Sequence, residues 1–104
     1  MSHDDAEAVQ LYRLAADQGH ADAQFCLGVM FQNGLGVVHD YAEAARLYRL
    51  AVDQGHAGAQ FNLGLMFTEA MGPFREIDSD ERLREGVRFF RLSAAQGHAA
   101  AQNR

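Results

Sequence analysis

The sequence predicts an all-α solenoid, a stack of helix–turn–helix repeats. Three observations carry that prediction. The string "LYRLAADQGHADAQF" at Leu11 returns as "LYRLAVDQGHAGAQF" at Leu47 and as "FFRLSAAQGHAAAQ" at Phe89. The spacing is 36 residues from the first copy to the second and 42 to the third, and a period near 36 is the size of one helical pair in an α-solenoid. The composition suits helices: 48% of residues are apolar and Pro73 is the only proline. Straight-chain residues and alanine enter helices cheaply, whereas proline interrupts them.

Each element follows from local pattern. A first helix is expected over about 4–18, with Asp4, Asp5 and Glu7 in the turn where the helix dipole favours negative charge. A second, over 21–33, places Ala23, Leu27, Met30 and Phe31 on one face and Phe25 and Val29 on another, and stops at Asn33-Gly34. A helix apolar over so much of its girth needs partners on two sides. Gly28, and Gly64 in the next copy, sit mid-helix at a cost of about 1 kcal/mol, which marks close helix crossings.

A third helix, over 41–54, buries Ala44, Leu47, Tyr48 and Ala51. Asp40 with Glu43 forms a capping-box pattern, and Gly55 marks the stop. The fourth, over 57–70, repeats the second. The fifth, over 79–96, starts at Asp78 with Glu81 and is about one turn longer than its siblings, which absorbs four of the six extra residues. A further helix is expected to begin at Ala99. The string "QGHAxAQ" is thus the turn from one helix type (B, the first, third and fifth) into the other (A, the second and fourth).

The combination of A-x-x-L-G, G-x-G-V, D-x-x-x-A and A-x-x-Q-G-H, as in "AQFCLGVMFQNGLGVVHDYAEAARLYRLAVDQGH", resembles the Sel1-like repeat, a relative of the tetratricopeptide repeat. The resemblance covers nearly the whole chain. It implies a right-handed α-α superhelix of about five helices plus a C-terminal stub, within one domain, 1–104. The units are a leading B helix (1–19), repeat one (20–55), repeat two with the insertion (56–97) and the start of a further repeat (98–104). It also implies an adaptor in protein–protein complexes. Three departures stand out: neither end is a complete unit, the second loop reads "EAMGPFREIDSDERLREG" in place of G-x-G-V, and the cysteine pairs of the secreted branch are missing.

Tetratricopeptide units bind ligands along the A helices. Carried onto this register, the groove is Asp22, Phe25, Val29, Gln32 and Asn33, then Phe61, Leu65, Thr68 and Glu69. Such a surface, apolar with a polar lip, suits a peptide or partner helix; the competing reading makes Phe25 and Phe61 interhelical packing. The inserted stretch carries Phe74, Arg75 and Ile77, either as a partner contact or tucked against the fifth helix.

The other side chains point away from chemistry. His20, His56 and His98 recur once per repeat, and helices pack roughly 10 Å apart, so they do not converge on a metal. They read as helix-opening residues. Cys26, the only cysteine, lacks an adjacent base and reads as a core thiol. The charge run "REIDSDERLRE" mixes signs and reads as a solvated helix start. No phosphate loop or serine motif is present, so no enzyme, cofactor or metal is expected. A net charge of −5 with no lysine argues against nucleic acid. No run is long and apolar enough for a membrane span, no secretory signal opens the chain, and a lone cysteine fits a reducing compartment, so a cytoplasmic location is expected. The expected function is a scaffold that binds a protein or peptide in its groove. The alternative is a module that forms homodimers through its uncovered solenoid ends.

Overall fold

The computed structural model describes residues 3–102, with side chains from Asp4 to Gly97. Five helices succeed one another: α1 (His3–Asp17), α2 (Ala21–Asn33), α3 (Tyr41–Val52), α4 (Ala57–Thr68) and α5 (Ser79–Gln102), with a 3₁₀ turn at Gly72–Glu76 before the last. The path is a solenoid in which α2 packs between α1 and α3, and α4 between α3 and α5. Its 40 × 39 × 21 Å envelope is two helix layers thick along the short axis.

Capping fixes most of the boundaries. The Asp40 carboxylate accepts from the Glu43 backbone N–H at 3.1 Å, opening α3. The reciprocal half of the predicted box is not made: the Asp40 N–H donates to the Phe31 carbonyl at 2.9 Å, and the Glu43 carboxylate pairs with Arg46. His56 opens α4 by accepting from Ala59 N–H through Nδ1 at 3.0 Å. Gly34, left-handed at φ 67°, closes α2, and its N–H reaches back to the Met30 carbonyl. In the next repeat Ala70 holds the corresponding left-handed position, at φ 54°.

Two clusters form the core. Val9 and Ala16 of α1, Ala23, Leu27 and Met30 of α2, and Leu47 of α3 make the first. The second joins α3, α4 and α5 through Ala44, Tyr48, Leu63, Met66, Phe67 and Phe89. The mid-helix glycines mark the tightest crossings. A Cβ on Gly28 would stand 2.6 Å from Tyr48 Cε1, and one on Gly64 2.8 Å from Phe90 Cε1.

The structure departs from expectation at the third "QGHA". At Gly19 and Gly55 the backbone turns left-handed, with φ 92° and 80°. Each turn is closed by paired bonds: Gly19 N–H to Ala16 O and His20 N–H to Ala15 O, then Gly55 N–H to Val52 O and His56 N–H to Ala51 O. At Gln96-Gly97 no turn forms, and α5 runs on as helix through Gln102. At the first two motifs the turn lets an A helix fold back and bury its apolar face. Among the described residues no such helix packs against α5 beyond Gln96. Continuing the helix then keeps its hydrogen bonds at the cost of one glycine. The side chains of the expected stub at 98–104 lie outside the described residues.

Candidate protein-docking surface

The repeated motif does more than set the turns. The "AQ" glutamine of each A helix and the "DQG" or "AQG" glutamine that ends the following B helix bond to each other. Gln54 Nε2 donates to Gln24 Oε1 at 2.9 Å, and Gln96 Nε2 donates to Gln60 Oε1 at 2.8 Å. Gln24, buried, also donates to the Ala16 carbonyl at 3.2 Å, tying α1, α2 and α3 together. Ser93 Oγ adds a bond to the Ala57 carbonyl at 2.9 Å. Sequence reasoning missed this clasp, although its signal, two glutamines that repeat in step, was in plain view.

His56 is likewise more than a helix start. Its Nε2 meets Asp22 Oδ1 at 2.8 Å, and its ring stacks on Phe25 with centroids 4.7 Å apart. The contact joins the first turns of α2 and α4, so His56 ties neighbouring repeats together, whereas the His20 side chain makes no cap bond to α2. Among the described residues no group of histidine, cysteine and carboxylate side chains gathers as a metal site.

The sequence-predicted groove divides. Val29 and Leu65 are half-buried, while Asp22, Asn33 and Glu69 are exposed. Phe61 is 47% exposed and leans on Phe90, at 5.5 Å between centroids. Phe25 is turned into packing between Tyr48 and His56, because a following A helix is present to cover it. Gln32 and Thr68 also turn inward. Gln32 accepts from the Tyr48 hydroxyl at 2.6 Å, and Thr68 Oγ1 donates to the Leu65 carbonyl at 3.2 Å beside Gly86. The polar lip is therefore Asp22, Asn33 and Glu69, and the apolar floor runs through Val29, Phe61 and Leu65.

Phe74 requires a correction. Read as a possible exposed contact with Arg75 and Ile77, it is 5% exposed and stacked on Phe67 at 4.2 Å. The Arg49 guanidinium lies 5.6 Å from its ring centroid. Burying an aromatic ring outweighs presenting it to water, so the insertion folds one 3₁₀ turn whose apolar side chains face the core. Ile77 is half-buried against the same cluster, and Arg75 alone stays exposed.

Burial perturbs the Tyr48 hydroxyl. Desolvation pushes its pKa up from 10.0 to about 12, against a smaller opposing pull from the Asn62 hydrogen bond. Asn62 Nδ2 donates to that hydroxyl at 3.3 Å. Cys26, which holds the same place in α2, is half-buried and lines a 340 Å³ cleft with Tyr12 and Val29. Among the described residues no helix is long and apolar enough to cross a membrane.

A family model of the Sel1 repeat matches residues 1–20, 21–56 and 57–98, so that nearly every residue falls within a matched unit. The chain belongs to the Sel1 repeat family. Its architecture is similar to that of c5321, described as a protective antigen present in uropathogenic Escherichia coli strains and displaying an SLR fold. That match has a TM-score of 0.80 at 31% identity and covers 94% of this chain and 20% of that one. A Sel1 repeat protein from Oxalobacter formigenes is similar at TM-score 0.75 and 33% identity, covering 86% of this chain and 35% of that one. This chain thus spans a fifth to about a third of the length of these relatives. No curated protein matches the sequence. The Sel1 repeat fold commonly mediates protein–protein interaction and is generally a scaffold rather than a catalyst.

Proposed function

We propose that the chain is an adaptor that docks a peptide or a partner helix along the A helices, over Val29, Phe61 and Leu65 and between the polar edges Asp22, Asn33 and Glu69. The observation that carries this reading is Phe61. It is a phenylalanine left 47% exposed on a rigid helix, and an exposed aromatic on a preorganised surface is a common anchor of binding energy. The mechanism is docking without chemistry. The partner's apolar side chains displace water from the floor while the carboxylates and Asn33 at the edges select its polar groups.

The test is affinity capture from the native organism's extract, with the wild type beside a Phe61→Arg, Leu65→Arg variant whose helicity matches by circular dichroism. A protein held by the wild type and lost by the folded variant supports the reading. Equal capture by both refutes it. One observation favours a second reading, self-association. Leu11 of α1 is 61% exposed, whereas Leu47 and Phe89, its register mates in α3 and α5, are 2% and 4% exposed. Light scattering across a concentration series decides that reading, since a constant monomer mass sinks it.

A further inference from the structure

We propose that the cleft between α3 and α5, floored by α4, receives a partner segment in which an apolar side chain stands beside a carboxylate. The cleft holds about 320 Å³. Val52, Leu63, Phe89 and Leu92 form its apolar lining, and Arg49 and Arg88 stand at its rim with Asp53. It is separate from the groove of the A helices. Leu63 is two residues from both Phe61 and Leu65, which at 3.6 residues per turn is nearly the opposite side of α4.

The cleft lies within the stack, on a face that repeat packing does not use. The middle B helix, α3, carries Arg46 and Leu50 in the register that Arg88 and Leu92 hold on α5. Helices pack against α3 from both sides, yet its Arg46 side chain stays 58% exposed and Leu50 39%. This face of a B helix is therefore left to solvent even where repeats flank it.

Arg49 decides the charge of the occupant. Its guanidinium lies 5.8 Å from the Phe67 centroid and 5.6 Å from the Phe74 centroid, and among the described residues it pairs with no carboxylate. Asp53, one turn further along α3, forms no ion pair with it although that spacing permits one. Arg88 lies 4.6 Å from the Phe89 centroid and is held by Glu85, which accepts from its Nε at 3.2 Å and its Nη2 at 2.8 Å. Phe67 stacks on Phe74 at 4.2 Å and on Phe89 at 5.7 Å, so one ring cluster carries both guanidiniums. Phe74 belongs to the inserted stretch. The first repeat has no counterpart to it: there Arg13 lies over Phe31, and Leu47 stands in place of Phe89. The insertion thus braces Arg49 on a second aromatic face while leaving its N–H donors unspent. A guanidinium held this way loses little freedom on binding, and its planar fork accommodates both oxygens of a carboxylate. The neighbouring apolar side chain of the partner enters the cleft beside it. Asp53 repels further negative charge, so the arrangement selects a single acid next to an apolar residue over an acidic run.

The experiment records NMR spectra of the whole 104-residue chain, isotope-labelled, as the peptide acetyl-Gly-Ser-Glu-Phe-Ser-Gly-amide is added. Saturable shifts are expected at Arg49, Val52, Asp53, Arg88 and Leu92, with the Arg49 side-chain Nε–H among them. Exchanging the peptide's glutamate for glutamine should weaken binding about fivefold or more, and so should Arg49→Gln protein. Asp53→Asn removes the opposing charge from an exposed side chain and should tighten binding about twofold. The Phe61→Arg, Leu65→Arg protein should bind as the wild type does, which separates this cleft from the groove. Circular dichroism checks that Arg49→Gln is folded. If it is not, because Arg49 covers Phe67 and Phe74, the glutamine peptide and Asp53→Asn decide. The absence of saturable shifts overturns the proposal, as does equal affinity for the two peptides. Undiminished binding to folded Arg49→Gln, weaker binding to Asp53→Asn, or shifts centred on Val29, Phe61 and Leu65 overturn it equally.

Discussion

Replacing Tyr48 by phenylalanine and carrying both proteins into alkali measures how much the buried hydroxyl contributes. Tyr48 has no exposed surface, and its hydroxyl donates to Gln32 and accepts from Asn62. Burial raises its pKa from 10.0 to about 12, so the folded state holds the proton more tightly than the unfolded chain does. That preference stabilises the fold fully below pH 10 and is lost as pH rises through about 12. A difference of that size corresponds to about 3 kcal/mol. Every other titratable group is common to the two proteins, so the difference between their curves isolates Tyr48. Near neutral pH, Tyr48→Phe should cost about 1–2 kcal/mol, since Gln32 and Asn62 lose a partner but remain within reach of water. Between pH 10 and about 12 the wild type should lose stability that the variant keeps, so the gap closes and then reverses. Urea unfolding monitored by circular dichroism at a series of pH values gives both curves. If the two proteins lose stability in parallel above pH 10, burial of the Tyr48 hydroxyl is not what governs the alkaline limit.

Packing sets three further outcomes. Gly28→Ala drives a methyl into the Tyr48 ring and should lower stability by about 1–3 kcal/mol in thermal or urea unfolding. Phe74→Ala should cost about 3–5 kcal/mol as a buried aromatic deletion, whereas its exposed neighbour Arg75→Ala should fall within about 0.5 kcal/mol of wild type. Ala70→Gly relieves a left-handed alanine and should gain roughly 0.5–1 kcal/mol, read as a higher melting temperature.

The architecture was legible because it was written more than once. A lone "LGVMF" is a short apolar run that periodicity cannot assign, but two copies at fixed spacing, each bounded by glycine, identify a repeated helix. The same repetition located the crossings at Gly28 and Gly64. What escaped was the direction of individual side chains. Phe25 and Phe61 occupy one register position, yet only Phe25 has a following A helix and a histidine ring to lie against. Their exposure is set by position in the stack, which a single repeat does not encode. Gln32 and Thr68 read as a polar lip because helical spacing puts them near the outer face; a Tyr48 hydroxyl and a Leu65 carbonyl within reach draw them inward. Phe74 sat in a stretch with no counterpart in the other repeat, where repetition offers no help and only burial decides.

The two "QGH" glycines that differ most in fate show how far a motif depends on the helix packed behind it. Gly55 is left-handed at φ 80°, and Gly97 lies inside α5 without a positive φ. Neither is crowded, since an added Cβ would meet nothing within 4 Å at either place. Sterics with neighbours therefore cancel, and the backbone alone sets the sign of a substitution. Gly55→Ala forces alanine into the left-handed region and should destabilise by about 1–2 kcal/mol. Gly97→Ala removes a flexible residue from a helix and should stabilise by up to about 1 kcal/mol, with added helicity in circular dichroism. If Gly97→Ala instead destabilises as Gly55→Ala does, the third motif turns in solution as the first two do. The turn would then be encoded locally by Gln-Gly-His. If the signs are opposite, the motif only permits the turn, and the helix that packs behind it imposes it.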